Sequence, residues 1–370
     1  MTKKLRKLIS FQSYSGQEKP ILEHIKKDLE DANMEPFFQE SNLVVKLTGI
    51  DQTRAFIFNG HVDVVDIGNP ADWEHNPWAG EVSDGRIYGR GTSDMKGGVL
   101  AIMETAKALL AKKTLPVDIW FTFVAEEETN GAGTKQFVEW FKSQGYMNKY
   151  QKIASVFAEP TSLNTVEYGH RGNFFIKAEK KGASGHSSRP KEINPHAIIE
   201  ISHFIADLEE ESLRWQEEFK KSHFAPPTIT PTAIEGQSKS PNKTSDTCIV
   251  HFDLRTIPGF HQEAYNRIKK LADKRTIKIS LLYPATPIGY TDPNAKIVKV
   301  FRQVIPGVKT EVTDVSTDLG FFTEAGIDGV IFGPGDTAQA HTTNESADIS
   351  QITSAPHIYE KIYLAWANSD

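Results

Sequence analysis

The sequence predicts an α/β protein in which a three-layer α/β/α domain is interrupted by a smaller α+β domain. Strand and helix patterns alternate in the first and last parts of the chain, and the strand at residues 119–124 is almost entirely apolar. Such a strand is typical of a sheet that helices cover on both faces. A different order of elements separates the two parts. We therefore predict a discontinuous domain, residues 1–171 and 287–370, and an inserted domain, residues 172–286.

The elements of the first domain follow from apolar spacing and turn residues. Ser15-Gly16-Gln17-Glu18 has the capping-box pattern of a helix start. Apolar residues then recur on one helical face, at Ile21, Leu22, Ile25 and Leu29. Strands are predicted at residues 43–47, 55–58, 119–124 and 153–157, and a buried helix at residues 95–110. An amphipathic helix at residues 356–366 ends the domain.

The inserted domain reads as a small unit of the split βαβ type. Its predicted strands cover residues 174–178, 248–255 and 277–282, and its predicted helices cover residues 195–210 and 262–272. A polar loop containing Pro226, Pro227 and Pro231 is predicted between the first helix and the second strand.

Composition excludes several classes of function. The 370 residues carry a net charge of -6, which provides no basic field for nucleic acid or an anionic membrane. Cys248 is the single cysteine, so no intrachain disulfide forms. The first residues are too polar for a signal peptide, and no apolar run is long enough to span a bilayer. We expect a cytoplasmic protein that acts on a small polar molecule.

His61 and Asp63 lie two residues apart where a predicted strand ends, so both side chains can point to one side. A metal-binding imidazole needs its second ring nitrogen fixed, and a nearby carboxylate does this. The alternative is a hydrogen-bonded histidine beside a capping aspartate, which so short a motif favours when taken alone.

Asp94 follows the turn Gly89-Arg90-Gly91 and precedes a predicted helix. Its two oxygens could bridge two cations, as two-metal sites require. An N-cap aspartate suits the position equally well.

Further carboxylates and a histidine follow other apolar strands: Glu126, Glu127, Glu128, Glu159 and His341. Three adjacent carboxylates repel one another unless cations or protons compensate their charge. Ligands collect at the carboxyl ends of strands in α/β sheets, and all these groups fall there. Together with His61 and Asp94 they predict a two-metal hydrolase centre.

With these residues the chain resembles the co-catalytic zinc metallopeptidases and deacylases, which include succinyl-diaminopimelate desuccinylase, acetylornithine deacetylase, aminoacylase and carboxypeptidase relatives. The desuccinylase branch is the most similar in the first two of the segments that carry the resemblance. Those segments are residues 60–65, 73–78, 85–98, 125–133, 158–161, 185–190, 253–255 and 340–345.

The resemblance implies a zinc-hydrolase catalytic domain with two divalent metal ions, Zn²⁺ above all, although such sites also take Co²⁺ or Mn²⁺. It implies five metal ligands: His61, Asp94, Glu128, Glu159 and His341. Asp94 would be shared between the metal of His61 and Glu159 and the metal of Glu128 and His341.

The resemblance also implies catalytic roles for Asp63, as the partner of His61, and for Glu127, as the general base that assists a metal-bridging hydroxide. The family usually has Asp-Glu-Glu where this chain has Glu126-Glu127-Glu128. An alignment with this motif shifted by one residue, with Glu126 as the base and Glu127 as the ligand, is the alternative.

For the inserted domain the resemblance implies a ferredoxin-like lid that also forms a homodimer. His186 would reach the reacting carbonyl of the partner subunit. Four residues are candidates for substrate binding: Arg255, Asn242, Arg171 and Thr317. For Arg255, a structural salt bridge with Asp253 is the alternative.

The implied activity is removal of a succinyl or acetyl group from an amino acid, as in N-succinyl-diaminopimelate. A di- or aminopeptidase or a carboxypeptidase is the alternative, because a peptide bond and an N-acyl bond are the same amide to the metals. A binding protein without catalysis ranks last, since every expected ligand is present. Thr317-Asp318-Leu319-Gly320 departs from the desuccinylase pattern, and this departure bears on the substrate rather than on the metals.

Overall fold

The computed structural model describes residues 1–236 and 238–369. They form two compact units. The first unit comprises residues 1–169, 289–312 and the chain from residue 317 onward. The second, called the inserted unit below, comprises residues 170–288 and 313–316.

The strands of both units, in chain order, are β1 (Phe37–Gln39), β2 (Asn42–Leu47), β3 (Asp51–His61), β4 (Glu81–Ser83), β5 (Arg86–Tyr88), β6 (Val117–Val124), β7 (Lys152–Phe157), β8 (Thr165–His170), β9 (Gly172–Lys181), β10 (Thr228–Gly236), β11 (Thr247–Thr256), β12 (Lys278–Leu281), β13 (Gly289–Tyr290), β14 (Lys309–Thr313), β15 (Asp328–Ile331) and β16 (Ser346–Asp348).

The α-helices are α1 (Thr2–Ile9), α2 (Lys19–Glu30), α3 (Lys96–Leu110), α4 (Ala132–Ser143), α5 (Tyr146–Lys149), α6 (Ala197–Glu218), α7 (His261–Lys274), α8 (Lys296–Val304), α9 (Leu319–Glu324) and α10 (Ile349–Asn368). Short 3₁₀ helices occur at Pro70–Asp72, Pro190–Glu192 and Thr337–Gln339. In the part of the chain that the structure describes, no helix combines the length and apolar character needed to cross a membrane.

A nine-stranded sheet forms the centre of the first unit, in the order β1-β2-β6-β3-β7-β15-β8-β13, with β14 paired to β8. Its middle strands, β6, β3, β7 and β15, run parallel to one another. The carboxyl ends of these four strands therefore meet at one edge of the sheet. A separate small sheet has the order β16-β5-β4.

Helices cover both faces of the large sheet. Phe56, Phe58 and Phe121 face a core that includes residues of α1, α2, α3, α8 and α10. Ile57 and Trp120 face a second core that includes residues of α4 and α9. Alternate residues of one strand thus enter opposite cores, as the pleat of a strand requires. All eight residues of β6 are buried, which explains the almost entirely apolar sequence of residues 119–124. The predicted α/β/α architecture is confirmed.

The inserted unit contains an antiparallel sheet in the order β10-β11-β9-β12, together with α6 and α7. The segment around Pro231, predicted as a loop, is in fact strand β10. Proline is tolerated there because β10 lies at the edge of the sheet, where its missing N–H costs no ladder bond. The register of β10 with β11 also shifts between Pro231 and Ala233.

Three helix predictions need correction. The capping box is wrong: α2 begins at Lys19, and no side chain in the described part of the chain caps it. Helix α6 continues to Glu218, beyond the predicted end at residue 210. Helix α10 begins at Ile349 and contains Pro356 in its interior, where the sequence predicted a helix start. The apolar face of α2 is as predicted, with Ile21, Leu22, Ile25 and Leu29 buried.

Candidate metal centre

The parallel strands carry ionisable groups to one edge of the large sheet. His61 is the last residue of β3 and pairs in register with Val124, the last residue of β6. The acidic loop, residues 126–128, begins two residues after β6, and Glu159 follows β7 by two residues. Because the strands are parallel, residues far apart in sequence arrive side by side, as expected of an α/β site.

Asp94 lies between two imidazoles. Its Oδ1 is 3.1 Å from His61 Nε2, and its Oδ2 is 3.3 Å from His341 Nε2. The turn before it uses Gly89 and Gly91 with φ of 145° and 85°, conformations that residues with side chains rarely adopt. The Asp94–Met95 peptide bond is cis.

Each imidazole also approaches a second carboxylate. His61 Nε2 is 3.6 Å from Glu159 Oε1, and His341 Nε2 is 2.9 Å from Glu128 Oε2. Potential ligand atoms of His61, Asp94 and Glu128 all lie within 4.8 Å of one another. The five ligands implied by the resemblance are therefore brought together, with Asp94 shared between the two pairs.

Asp63 contacts His61 through the other ring nitrogen. His61 Nδ1 is 3.1 Å from the carbonyl oxygen of Asp63 and 3.4 Å from its Oδ1. Both side chains are fully buried. A carboxylate at this distance fixes the ring orientation and leaves Nε2 to face Asp94 and Glu159.

The charges of the cluster fit divalent cations. Burial and the nearby Asp94 raise the pKa of Glu128 to about 7. Hydrogen bonds with Asp94 and Glu128 raise the pKa of His341 to about 10. Protons thus compensate the negative charge of the crowded carboxylates in this structure, and metal cations would compensate it in the same way. Glu128 Oε1 is also buried and has no hydrogen-bond partner among residues 1–236 and 238–369. An oxygen ligand available in this way, among carboxylates and imidazoles, fits a metal such as zinc.

Glu127 is next to this cluster in sequence and shares its electrostatics. Burial raises the pKa of Glu127 well above its ordinary value, against the nearby positive charge of His61. The carboxylates of Asp318, Glu159 and Glu128 raise it further. A raised pKa makes the Glu127 carboxylate a stronger proton acceptor than an ordinary glutamate, which suits a general base.

Glu345 is a residue of the site that the sequence reasoning missed. It is fully buried, and its Oε1 accepts hydrogen bonds from the backbone amides of Ser93 (2.8 Å) and Asp94 (3.0 Å). Its Oε2 accepts from Gly91 N (2.9 Å) and from Arg90 Nη1 (2.8 Å). The only signal was its place in the segment at residues 340–345 that carries the family resemblance.

Asp318 was also missed as a carboxyl of the site. It is buried, and its Oδ2 accepts a 2.6 Å hydrogen bond from Thr134 Oγ1. Burial raises the pKa of Asp318 to about 8. Thr317, the predicted neighbour, is buried too, and its hydroxyl accepts a hydrogen bond from Leu319 N (3.3 Å) at the start of α9.

His186 and Asn242 lie next to each other in the inserted unit. His186 pairs with Lys243 in an isolated β-bridge, and the carbonyl of Asn242 accepts a 3.0 Å hydrogen bond from Ser187 N. His186 Nδ1 is 2.8 Å from Ser188 Oγ, and His186 and Asn242 are both exposed. Both side chains are accessible to a substrate or to a second protein chain.

Both predicted arginines have carboxylate neighbours within the inserted unit. Arg255 Nε and Nη2 donate to Asp253 at 2.9 Å and 3.0 Å, which matches the structural alternative considered for this residue. Arg255 Nη1 donates to Ser316 Oγ at 3.2 Å. Arg171 Nε lies 3.2 Å from Asp314 Oδ1.

The sequence profile described as Peptidase family M20/M25/M40 matches residues 57–365. The chain is 30% identical over 338 residues to succinyl-diaminopimelate desuccinylase 2 of Ruegeria sp., covering 86% of this chain and 81% of that protein. It is 26% identical to the succinyl-diaminopimelate desuccinylase of Rickettsia bellii, covering 98% and 96%. A deformylase of Halalkalibacterium halodurans, which acts on an N-formyl aminomethylpyrimidine, is also 26% identical, covering 87% and 82%.

Several solved structures share this fold. A metallo-carboxypeptidase of Sulfolobus solfataricus superposes with a TM-score of 0.78 at 18% identity, covering 99% of this chain and 98% of that one. A tripeptidase of Staphylococcus aureus gives 0.78 at 18% identity, covering 99% and 97%. A dinuclear metal-binding peptidase of Bacillus subtilis gives 0.71 at 16% identity, covering 97% and 95%. At these identities the likeness shows the fold.

Proposed function

Because the chain belongs to peptidase family M20/M25/M40, we propose that it removes a succinyl or acetyl group from the nitrogen of an amino acid such as N-succinyl-diaminopimelate. The family predicted from the sequence motifs is confirmed. The chain is a metallohydrolase that acts on amides. The identity of the acyl group and of the amino acid is the proposed part.

One observation carries the proposed site: the two oxygens of Asp94 lie 3.1 Å and 3.3 Å from His61 Nε2 and His341 Nε2. A carboxylate between two imidazoles can bridge two cations. We assign one divalent ion to His61, Asp94 and Glu159, and the other to Asp94, Glu128 and His341. Zn²⁺ is the proposed ion, and Co²⁺ and Mn²⁺ suit the same donors.

When bound, such ions supply Lewis acidity that acidifies water and polarises the amide carbonyl. Glu127 accepts a proton from the attacking water as the water oxygen bonds to the carbonyl carbon. The C–N bond then breaks while Glu127 returns the proton to the nitrogen, which yields a carboxylic acid and an amine. Asp63 holds the His61 ring, and the partner subunit's His186 donates a hydrogen bond to the developing oxyanion.

The proposed acyl specificity is supported by the desuccinylases among the relatives, which reach 30% identity. In this proposal four residues bind the substrate carboxylates: Arg255, Asn242, Arg171 and Thr317. Asp253 and Asp314 already lie beside the two arginines, so a substrate carboxylate competes with them. Bidentate binding by an arginine would favour a dicarboxylate substrate over a neutral one.

A substrate panel tests the proposal. We expect purified protein reconstituted with Zn²⁺ to release amine from N-succinyl-diaminopimelate or an N-acetyl amino acid, and a chelator to abolish the release. Faster cleavage of di- and tripeptides than of every acyl amino acid would replace the deacylase assignment with a peptidase assignment. Activity that persists in metal-stripped protein would contradict the two-metal site. The activity recovered when Zn²⁺, Co²⁺ or Mn²⁺ is added back to metal-stripped protein ranks the three metals as cofactors.

A homodimer formed through the inserted unit is part of the same proposal. Strand β10 is an exposed sheet edge, and Ile234 on it is 56% exposed. Leu213 on α6 is 64% exposed. Exposed apolar side chains beside an unpaired edge favour pairing with a second chain. Sedimentation velocity should give twice the monomer mass, and a purely monomeric active enzyme would contradict a role for the partner's His186. We also propose a cytoplasmic location, which the single buried thiol of Cys248 suits.

A further inference from the structure

The capping box predicted at residues 15–18 belongs to a turn that lies against the candidate metal centre. We call it the N-terminal turn, residues 13–18. Ser13 Oγ donates a 2.6 Å hydrogen bond to the carbonyl of Val62, and Val64 N donates a 3.0 Å bond to the carbonyl of Ser13. These two bonds attach the turn to the chain on either side of Asp63.

Backbone amides of the acidic loop, residues 126–128, donate to carboxylates that lie outside the loop. Glu126 N donates to Glu18 Oε1 at 3.1 Å. Glu127 N and Glu128 N donate to the two oxygens of Asp63 at 3.2 Å and 3.1 Å. Two side chains, Glu18 and Asp63, therefore hold three consecutive peptide groups of the loop.

The N-terminal turn supplies one of these carboxylates and supports the other. Ser15 Oγ donates a 2.7 Å hydrogen bond to Asp63 Oδ2, the same oxygen that Glu128 N approaches. Glu18 is 5% exposed, and its Oε1 also accepts from Gly16 N at 2.8 Å. Because Glu18 is buried, water cannot readily replace its carboxylate as the acceptor.

The loop needs this support because Glu126 has a φ of 57°, in the left-handed region. That conformation is unfavourable for a residue with a side chain and persists where surrounding bonds hold it. On its other side the carbonyl of Glu126 accepts hydrogen bonds from Asn130 N (3.3 Å) and Gly131 N (2.9 Å). Loss of the Glu18 carboxylate would remove the hydrogen bond to the amide of Glu126 and so one of the contacts that hold this strained residue.

We propose that Ser15 and Glu18 are positioning residues. They hold the acidic loop in the conformation that places the side chains of Glu127 and Glu128 for their proposed roles as base and ligand. This inference rests on the proposed roles of Glu127 as base and Glu128 as ligand. The two residues act through the backbone and through Asp63, without touching substrate. The sequence predicted that Ser15 and Glu18 would form hydrogen bonds within a helix start. Instead, their hydrogen bonds join the N-terminal turn to Asp63 and to the acidic loop.

Glu18→Ala leaves the partly buried amide of Glu126 without this acceptor, so we expect kcat to fall about ten- to a hundredfold with KM changed little. Glu18→Gln keeps a carbonyl oxygen at the same reach, and we expect kcat within about threefold of wild type. Ser15→Ala removes one of several bonds to Asp63 and should lower kcat about threefold to tenfold. Ser15→Thr keeps the hydroxyl and should restore kcat.

Two further measurements do not depend on turnover. Hydrogen–deuterium exchange of the metal-free protein should show faster exchange of the amides at residues 126–128 in Glu18→Ala than in wild type, by about tenfold or more. Zn²⁺ titration should show weaker binding in Glu18→Ala, because Glu128 is less well placed. Glu23→Ala on the same helix and Ser10→Ala near the turn are matched controls, since their side chains are exposed.

The outcomes separate this inference from the proposed function. If wild type cleaves no amide in the substrate panel, the proposed function fails, while faster exchange in Glu18→Ala alone would still support the positioning role. If wild type is active but Glu18→Ala matches Glu23→Ala in kcat and in exchange, the positioning role is wrong. If Glu18→Ala does not fold, the decision rests on Ser15→Ala against Ser15→Thr, and equal kcat in those two variants would overturn the proposal for Ser15.

Discussion

The carboxylate of Glu345 accepts a 3.0 Å hydrogen bond from the backbone amide of Asp94, the residue that lies between the two histidines of the site. The same carboxylate accepts from Ser93 N and Gly91 N, so it ties together the turn that presents Asp94. Arg90 balances its charge at 2.8 Å, and both side chains are buried. The position of Asp94 therefore depends on a residue 251 positions away in the sequence.

We expect Glu345→Ala to weaken metal binding and to destabilise the protein. The substitution leaves Arg90 without its buried carboxylate and three amides without an acceptor. Losing one partner of a buried pair costs about 3–5 kcal/mol. Calorimetric Zn²⁺ titration and urea unfolding in chelator measure the two effects. Glu324→Ala, at an exposed position, is the control, and equal metal affinity in the two variants would contradict this role for Glu345.

Glu127→Ala should retain both metals and lose turnover by about a hundredfold to ten-thousandfold, as expected when a general base is removed. Metal analysis of the purified variant and kcat on the best substrate of the panel test this. Glu126→Ala is the matched variant, because Glu126 directs its amide to Glu18 and is held in the left-handed region. If Glu126→Ala keeps its metals and loses turnover while Glu127→Ala stays active, the alignment with the family motif is shifted by one residue and Glu126 is the base.

Most of the central sheet could be predicted because its buried strands consist largely of apolar residues, which the sequence shows directly. Strand β6 is buried along its whole length, and its residues 119–124 are almost entirely apolar. Strand β10 could not be predicted, because an exposed edge strand has no apolar pattern and tolerates Pro231. The capping box failed for a different reason: Ser15 and Glu18 bond to Asp63 and Glu126 instead of to the helix. Local patterns do not report such distant partners.

In the candidate site, the proposed ligands could be found because each one follows an apolar strand or a glycine turn. His61 ends β3, and Glu159 follows β7. Glu345 and Asp318 carry no such signal, since their contacts, Asp94 and Thr134, are made across the fold. The proposed metal ligands are marked by local sequence, whereas the residues that hold them in place are marked only by tertiary contacts.

Asp118 should make the stability of the first unit depend on pH. Its side chain is fully buried. Burial alone would raise its pKa, but Lys46, Gly49 N and Tyr150 Oη, at 2.7 Å, 2.9 Å and 2.7 Å, hold the pKa below its ordinary value. A lowered folded-state pKa contributes stability above the unfolded pKa of about 3.9, and that stability is lost as pH falls through the folded pKa.

We therefore expect Asp118→Asn to be less stable than wild type by about 1–3 kcal/mol near neutral pH. The difference should shrink as pH falls from about 5 through the unfolded pKa of about 3.9, because the unfolded wild-type chain then binds a proton at Asp118 while the folded protein, with its lowered pKa, does not. Urea unfolding in chelator across this range measures it. Asp31→Asn, at an exposed position, should show no such trend. A difference that stays constant with pH would mean that the charge of Asp118 contributes nothing.

Gly98→Ala should lower metal affinity without touching a ligand. A Cβ on Gly98, in the first turn of α3, would lie 2.1 Å from the carbonyl oxygen of Ala158, a backbone atom that cannot rotate away. Ala158 immediately precedes Glu159, so the clash must displace that proposed ligand or the helix that follows Asp94. Overpacking of this kind costs about 1–3 kcal/mol. Part of that cost should appear as weaker Zn²⁺ binding in a calorimetric titration. Gly236→Ala, where the nearest atom to an added Cβ is 3.7 Å away, is the matched control. Zn²⁺ affinities equal in the two variants would show that the contact between Gly98 and Ala158 does not set the position of Glu159.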